Sequence, residues 1–144
     1  SFNYLKTKKP RLLYLAFDTT DEYAHDGEYD QYLYSMNRLD GYLKSIWDWA
    51  QSNSAYRNKT TMIITTDHGR GDKIIEQWKS HDSSIKGSKN VWLAIIGPDT
   101  PSIGEIENSE PIYSTQIAMT IARLLDVDYK SENEIGTEIK SVIK

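Results

Sequence analysis

The chain has 144 residues, of which 38% are hydrophobic and 26% charged, with a formal net charge of -4 and no cysteine. This length and composition are typical of one globular domain, so residues 1–144 are predicted to share one core. The basic residues are scattered instead of forming a stripe, which excludes a nucleic-acid scaffold, and no apolar run approaches the ~20 residues of a membrane span. The absence of cysteine excludes disulfides, thiolate metal sites and cysteine nucleophiles.

The first part of the chain is predicted to form a strand followed by a long helix. Residues 11–17 are a short apolar run that ends at Asp18, as in a buried strand that delivers an acidic residue at its carboxyl end. Apolar residues then recur with a helical period over residues 29–51, opposite a polar face. This segment is the longest predicted helix.

Strands and helices alternate along the rest of the chain. The predictions are a second strand over residues 60–66, a short helix over 73–78, a third strand over 91–96 and a helix over 114–125. Apolar strands separated by crossover helices predict a three-layer α/β/α fold with a mostly parallel central sheet covered on both faces. Residues 130–144 form a charged tail, for which we predict a weak terminal helix.

Acidic residues and all three histidines of the chain lie in loops near the predicted strands. Ligands of open α/β sheets bind at the carboxyl ends of the strands. Asp21 and His25 stand four apart and would project from one side of a helical turn, where the pair can bind one cation. Asp67 and His68 are adjacent on a glycine-containing turn, and His81 lies in a later loop. This carboxylate and imidazole set is typical of zinc, with manganese as the alternative.

Each part of this pattern also has a simpler interpretation. An Asp and a His four apart on a helix are usually a solvated pair, and Asp18 can serve only to cap the turn after the first strand. Turn formation alone accounts for Asp67, and a lone loop histidine such as His81 is more often a surface residue. Arg70 either helps to hold an anionic oxygen or is solvated. The metal-site hypothesis therefore rests on all three histidines occurring in acid-rich or glycine-rich loops at one predicted edge.

The order of these motifs resembles the carboxyl-terminal part of alkaline phosphatase superfamily enzymes, which include phosphodiesterases, phosphoglycerate mutases, phosphopentomutases and sulfatases. In that superfamily an Asp-x-x-x-His segment supplies two ligands to one metal, and Asp21 and His25 fit that spacing. A Thr-x-Asp-His-Gly segment supplies the second metal, and residues 65–69 are similar to it. A later histidine, matched by His81, closes the first site. The resemblance implies an alkaline phosphatase-like fold with two divalent ions.

One departure from the family pattern limits what the chain is expected to do. The superfamily carries a further metal-binding Asp and a Ser or Thr nucleophile in an amino-terminal segment ahead of the motifs seen here. We therefore expect a truncated, carboxyl-terminal fragment of a larger catalytic domain, inactive alone and with its metal sites partly or wholly empty. Surface that the other half would cover is expected to favour self-association. The sequence leaves the location open: the resemblance allows a periplasmic or secreted one, and no signal peptide is visible.

For the intact protein, the resemblance implies metal-dependent hydrolysis of a phosphate or sulfate ester of a small molecule. Two ions about 4 Å apart would activate the attacking hydroxyl and stabilise the leaving oxygen. A mutase-type phosphoryl transfer is the alternative, because it uses the same metal site. A non-catalytic α/β binding module, in which the acids and histidines only solvate a loop edge, is the third interpretation. The sequence leaves the substrate, the ester type and the native metal open.

Overall fold

The computed structural model describes residues 2–107 and 110–144, which form four α-helices, two strands and three short 3-10 turns. The helices and strands are α1 (Phe2–Lys8), α2 (Thr19–Asp26), α3 (Tyr29–Ser52), β1 (Met62–Thr65), β2 (Leu93–Ile96) and α4 (Ile117–Leu125). The 3-10 turns are Ile75–Lys79, Ser114–Gln116 and Lys140–Val142. Among the described residues, no helix combines the length and the hydropathy that crossing a membrane requires.

The chain divides into two compact units. The first unit consists of Ser1–Arg57 and Thr66–Trp92, and the second of Asn58–Thr65 and Leu93–Lys144. Asp21, His25 and all other residues of the predicted metal centre belong to the first unit. The prediction that residues 1–144 form one domain stays a prediction.

The first unit is built around the contact between α2 and α3. Gly27 ends α2 in the left-handed conformation, with φ of 78°, which glycine adopts without the steric cost of a side chain. Its N–H donates to the carbonyl of Ala24 at 3.1 Å, and α3 begins two residues later. Ala24 of α2 is buried. This small side chain and the short connection allow α2 to pack directly against α3.

Aromatic side chains hold the start of the chain to the end of α3. Phe2 of α1 contacts Trp49 edge to face at 5.8 Å, and Trp49 contacts Tyr56 at 5.4 Å. The Tyr56 hydroxyl donates to the carbonyl of Pro10 at 3.0 Å. Burial raises the pKa of this phenol above its ordinary value, because the charged form is poorly solvated there. α1 and the residues that follow it are therefore fastened to α3.

The second unit packs α4 against a two-stranded antiparallel sheet. β1 and β2 pair with Met62 opposite Ile96 and Thr65 opposite Leu93. A small gap between helix and sheet is lined by the apolar side chains of Ile63, Leu93, Ile95, Ile117 and Ile139, together with Thr120. The helix predicted over residues 114–125 is confirmed, with its first turn in the 3-10 form.

Two predictions about the sheet are wrong. Residues 11–17 have no regular structure, and Leu12, Tyr14 and Phe17 are exposed. A strand requires a neighbouring backbone for its ladder, and the sheet in the described residues consists of β1 and β2 alone. These two strands are also antiparallel instead of parallel. Residues 66–92, which connect them, contain a single 3-10 turn and no crossover α-helix, so the usual route to a parallel pair is missing.

Of the remaining predicted helices, the longest is confirmed and two shorter ones are reduced to 3-10 turns. The longest helix, predicted over residues 29–51, is confirmed as α3. The short helix predicted over residues 73–78 is a 3-10 turn, Ile75–Lys79. The weak terminal helix predicted over residues 130–144 is limited to the 3-10 turn Lys140–Val142. The described residues thus form a mixed helix and sheet structure, without the predicted three-layer parallel sheet.

Candidate metal centre

The donor groups of three residues converge beside α2. His25 lies one turn after Asp21, with its Nε2 atom 3.3 Å from Asp21 Oδ2. The His81 loop brings His81 Nε2 to 3.0 Å from His25 Nε2 and to 3.7 Å from Asp21 Oδ1. Donors of a tetrahedral zinc site, with bonds of about 2.0–2.1 Å, stand roughly 3.3 Å apart. The spacing and donor types of Asp21, His25 and His81, the ligand triad, therefore fit one divalent ion.

His68 lies next to the ligand triad. Its Nε2 atom is 3.5 Å from Asp21 Oδ1, and its ring stacks on His81 with centroids 3.7 Å apart and planes 15° apart. In the tautomer with a proton on Nδ1, this nitrogen donates to the carbonyl of Gly69 at 3.0 Å and leaves Nε2 free as an acceptor. Such a backbone contact is the usual way in which a metal-binding histidine is oriented.

The ring planes decide which histidines can share an ion. An imidazole nitrogen binds through a lone pair in the plane of the ring, so an ion shared by two rings lies where their planes meet. The planes of His25 and His81 meet at 60°, and their Nε2 atoms are 3.0 Å apart. The planes of His68 and His81 are nearly parallel and do not meet nearby. The geometry thus allows His25 and His81 to bind the same ion, whereas His68 is oriented toward a neighbouring ion position.

The other predicted acids stand apart from the ligand triad. Asp67 Oδ1 accepts the backbone N–H of His68 at 3.0 Å and lies 3.7 Å from His68 Nε2, but the Asp67 side chain is 90% exposed. Asp18 precedes α2, where its carbonyl accepts the N–H of Asp21 at 2.8 Å and its exposed carboxylate caps no N–H of the helix. Asp67 as a metal ligand and Asp18 as an accessory residue stay predictions.

Backbone hydrogen bonds join the loop that carries His68 to the loop that carries His81. Each bond runs from an N–H in residues 69–72 to a carbonyl in residues 80–88. The three bonds are Gly69 to Ser88 at 2.8 Å, Gly71 to Ser80 at 3.3 Å and Asp72 to Lys86 at 3.3 Å. The stacking of His68 on His81 follows from this pairing of loops.

Two glycines permit the close approach of these loops. A Cβ atom on Gly69 would lie 2.3 Å from the carbonyl oxygens of both Gly87 and Asn90. A Cβ atom on Gly71 would lie 2.5 Å from the carbonyl oxygen of Gln77, which belongs to the 3-10 turn ahead of the His81 loop. Because these contacts are with backbone, a larger residue at either position would push the loops apart.

The turn after His81 is fixed by its own hydrogen bonds. Ser84 donates to Asp82 Oδ1 through its hydroxyl at 2.6 Å and through its backbone N–H at 2.8 Å. These bonds hold the pKa of the Asp82 carboxyl below its ordinary value, because they stabilise the charged form. Ser88 also donates through its hydroxyl to the carbonyl of Asp82 at 2.8 Å. These hydrogen bonds therefore fix the backbone of the turn that follows His81.

Arg70 is turned toward the ligand triad. Its Nη2 atom donates to the carboxylate of Asp21 and, at 3.2 Å, to the carbonyl of the same residue. Its Nη1 atom donates to the carbonyl of Trp78 at 3.2 Å, and the Arg70 side chain is only 15% exposed. The structure pairs Arg70 with the carboxylate of Asp21, and its predicted role toward an anionic oxygen of a substrate stays a prediction.

Trp78 is the residue of this neighbourhood that the sequence did not single out as part of the site. Its ring contacts Tyr29 at 5.3 Å and Tyr32 at 5.7 Å, both near the start of α3. These contacts hold Trp78 against the start of α3. Its position three residues before His81 was the available signal for a role in supporting the site.

Comparison with protein families gives a match over most of the chain. The family model of the Metalloenzyme superfamily matches residues 1–128, which include every residue of the candidate centre. No curated protein and no solved structure matches the chain. A match of this extent, together with the clustered Asp and His donors, is what a metal-binding family predicts. The chain therefore belongs to the Metalloenzyme superfamily, which is part of the alkaline phosphatase-like superfamily.

Proposed function

We propose that this chain supplies the metal ligands of an enzyme that hydrolyses a phosphate or sulfate ester of a small molecule. Membership of the Metalloenzyme superfamily suggests metal-dependent phosphoryl or sulfuryl transfer at the level of the family. The observation that supports the proposal best is the convergence of Asp21, His25 and His81, whose donor atoms all lie within 4.8 Å of one another.

In this proposal each side chain has a distinct role. Asp21, His25 and His81 hold one divalent ion, and His68 with Asp67 contributes to a second, with zinc as the first choice and manganese as the alternative. When bound, the ions supply positive charge that lowers the pKa of an attacking hydroxyl and stabilises the leaving oxygen. The imidazoles bind as neutral ligands, so within this ligand set the carboxylates of Asp21 and Asp67 alone offset that charge, which favours an anionic ester as substrate.

The attacking hydroxyl is proposed to come from a segment outside residues 1–144. The family resemblance implies this, since it places the nucleophile ahead of the Asp-x-x-x-His motif. We expect residues 1–144 alone to bind metal weakly and to leave esters intact.

We also propose that the intact domain has the three-layer fold with a larger sheet. Leu93 and Ile95 of β2 line the gap against α4, whereas Ile96, on the other face of the strand, is 50% exposed. The apolar residues 11–17 have no regular structure and include exposed large side chains. Apolar surface of this kind is normally covered, and further strands and a second helical layer would cover it.

Zinc binding by the chain tests the ligand set. Titration calorimetry at neutral pH is expected to show binding that Asp21→Asn, His25→Ala and His81→Ala each weaken by about 10- to 100-fold, a loss typical even of outer-shell changes. Asp48→Asn is the matched control, because Asp48 is an exposed acid on α3 that pairs with Lys44. Equal affinity in all four variants and the unchanged chain would refute the ligand set.

Activity is tested in a longer form of the protein that contains these residues together with the proposed nucleophile segment. Release of phosphate or sulfate from an aryl ester, dependent on added metal, is the expected result. Activity that survives the replacement of both Asp67 and His68 by Ala would reject the mechanism. Movement of a phosphoryl group within a sugar phosphate, without release of phosphate, would assign the protein to the mutase alternative.

A further inference from the structure

We propose that Arg70 is a positioning residue that fixes the carboxylate of Asp21 for metal binding, and that it does not bind the anionic group of the substrate. This inference rests on the proposed function, because it assumes that Asp21, His25 and His81 hold an ion. It assigns a role to a residue that lies between the two glycines of the His68 loop.

The first argument is the way in which Arg70 holds Asp21. One guanidinium nitrogen, Nη2, donates to both the backbone carbonyl and the side-chain carboxylate of Asp21. A donor that bridges the backbone and the side chain of one residue restricts rotation of that side chain relative to the helix. Asp21 lies in the first turn of α2, whose backbone is fixed, so its carboxylate is fixed as well.

The second argument concerns the two oxygens of the Asp21 carboxylate. Arg70 is paired with Oδ1, whereas Oδ2 lies 3.3 Å from His25 Nε2. An unrestrained carboxylate can rotate and present either oxygen, and ordering it costs free energy when a metal binds. With Arg70 on Oδ1, which also lies 3.7 Å from His81 Nε2, the carboxylate does not exchange its two oxygens, and Oδ2 stays beside His25.

The third argument is that Arg70 is not free to move toward a substrate. Its Nη1 atom donates to the carbonyl of Trp78, and the ring of Trp78 packs against Tyr29 and Tyr32. The side chain is 15% exposed, so swinging it outward would break an ion pair and leave the Asp21 carboxylate without its partner. Both terminal nitrogens are thus committed to the protein.

The test is a titration of the chain with Co²⁺, followed by its visible spectrum, which reports on the ligands and their geometry. Arg70→Ala is expected to weaken Co²⁺ binding by about 10- to 100-fold and to change the spectrum of the bound ion. Arg70→Lys keeps the charge, but one ammonium cannot bridge Asp21 and Trp78 as the guanidinium does, so it should restore the affinity only in part. Arg38→Ala is the control, because Arg38 lies on α3 and contacts Tyr42.

A second measurement separates positioning from anion binding. At saturating Co²⁺, the Arg70→Ala variant should bind inorganic phosphate as tightly as the unchanged chain does. Loss of phosphate binding at saturating metal, with the Co²⁺ affinity unchanged, would overturn the proposal in favour of an anion-binding arginine. An unaltered spectrum and unaltered Co²⁺ affinity in Arg70→Ala would also overturn it.

The remaining outcomes are equally decisive. If the unchanged chain binds no Co²⁺, the ligand set of the proposed function fails, and the role of Arg70 fails with it. If the chain binds Co²⁺ and only the Arg70 variants behave like the control, the ligand set stands and this inference alone is rejected. If circular dichroism shows that both Arg70 variants are unfolded, Arg70 is a stabilising residue of its loop, and the positioning role is rejected.

Discussion

A methyl group added at Gly69 tests whether close packing of two loops builds the metal centre. In the Gly69→Ala variant the new Cβ atom would lie 2.3 Å from two backbone carbonyl oxygens, those of Gly87 and Asn90. Neither carbonyl can rotate away as a side chain can, so the loop itself has to shift. The shift would stretch the hydrogen bond from the Gly69 N–H to the Ser88 carbonyl, which is 2.8 Å long.

The expected loss of stability follows from these two effects. Overpacking costs about 1–3 kcal/mol, and one backbone hydrogen bond contributes about 0.5–1.5 kcal/mol, so the free energy of unfolding should fall by roughly 2–4 kcal/mol. Gly41→Ala is the matched control, since Gly41 lies within α3 and nothing is found within 4 Å of its added Cβ. There the same substitution should stabilise the protein by about 0.5–1 kcal/mol, because alanine favours a helix over glycine.

Urea denaturation followed by circular dichroism measures both changes, and zinc calorimetry on the folded variants measures the effect on the site. Gly69→Ala should also weaken zinc binding, because the shift separates the loops that carry His68 and His81. Gly41→Ala should leave zinc affinity unchanged. If Gly69→Ala is as stable as the unchanged chain, or is destabilised with full zinc affinity, the packing of these loops does not determine where the histidines lie.

Two further predictions concern metal and pH. Zinc at 100 times its dissociation constant should raise the free energy of unfolding by about 2.7 kcal/mol, and a chelator should reverse the gain; a melting temperature indifferent to zinc would contradict this. Tyr56→Phe should cost about 0.5–1.5 kcal/mol in urea denaturation, because the hydrogen bond to the Pro10 carbonyl is lost. The raised pKa of Tyr56 means that its contribution is complete below the unfolded value of about 10 and is lost as the pH rises through the folded value. Ultraviolet titration should show one tyrosine that ionises at a higher pH than the others and is missing from the Tyr56→Phe variant. If that ionisation persists in the variant, the raised pKa does not belong to Tyr56.

The elements that the sequence predicted correctly depend on local information. α3 follows from a helical period of apolar residues over residues 29–51, and β1 and β2 follow from short β-branched or apolar runs. Residues 11–17 show the same kind of apolar run but form no strand, because a strand also needs a partner elsewhere in the chain. The predicted parallel direction was wrong for the same reason. Strand direction depends on the path of the connecting residues 66–92 and not on the composition of β1 or β2.

The candidate site also combines features that local sequence predicts with features that depend on distant residues. The spacing of Asp21 and His25 was enough to place both on one side of a helical turn. In the structure, His25 Nε2 lies 3.3 Å from Asp21 Oδ2. The stacking of His68 on His81 could not be predicted, because it depends on backbone hydrogen bonds between two irregular loops. The orientation of Arg70 could not be predicted for the same reason. Its partners are the carbonyl of Trp78, 8 residues away, and the carbonyl and carboxylate of Asp21, 49 residues away.

A substitution in the second unit separates stability from metal binding. Thr120 is fully buried, and its hydroxyl oxygen accepts the N–H of Ile139 at 2.9 Å while its proton is donated to the carbonyl of Gln116 at 2.8 Å. Thr120→Val keeps the shape but leaves the Ile139 N–H buried without this acceptor, which costs about 1–3 kcal/mol. Thr120→Ser, which keeps the hydroxyl, should lose less.

Because every donor of the ligand triad, and every contact that supports it, belongs to the first unit, Thr120→Val should leave zinc affinity unchanged while it lowers the free energy of unfolding. Gly69→Ala should lower both. Calorimetry and urea denaturation on the same two variants therefore show whether zinc affinity depends on the loops of the site or only on the stability of the whole chain. Parallel losses of zinc affinity and stability in Thr120→Val would show that the ligand triad depends on more than the helix and the two loops that carry it.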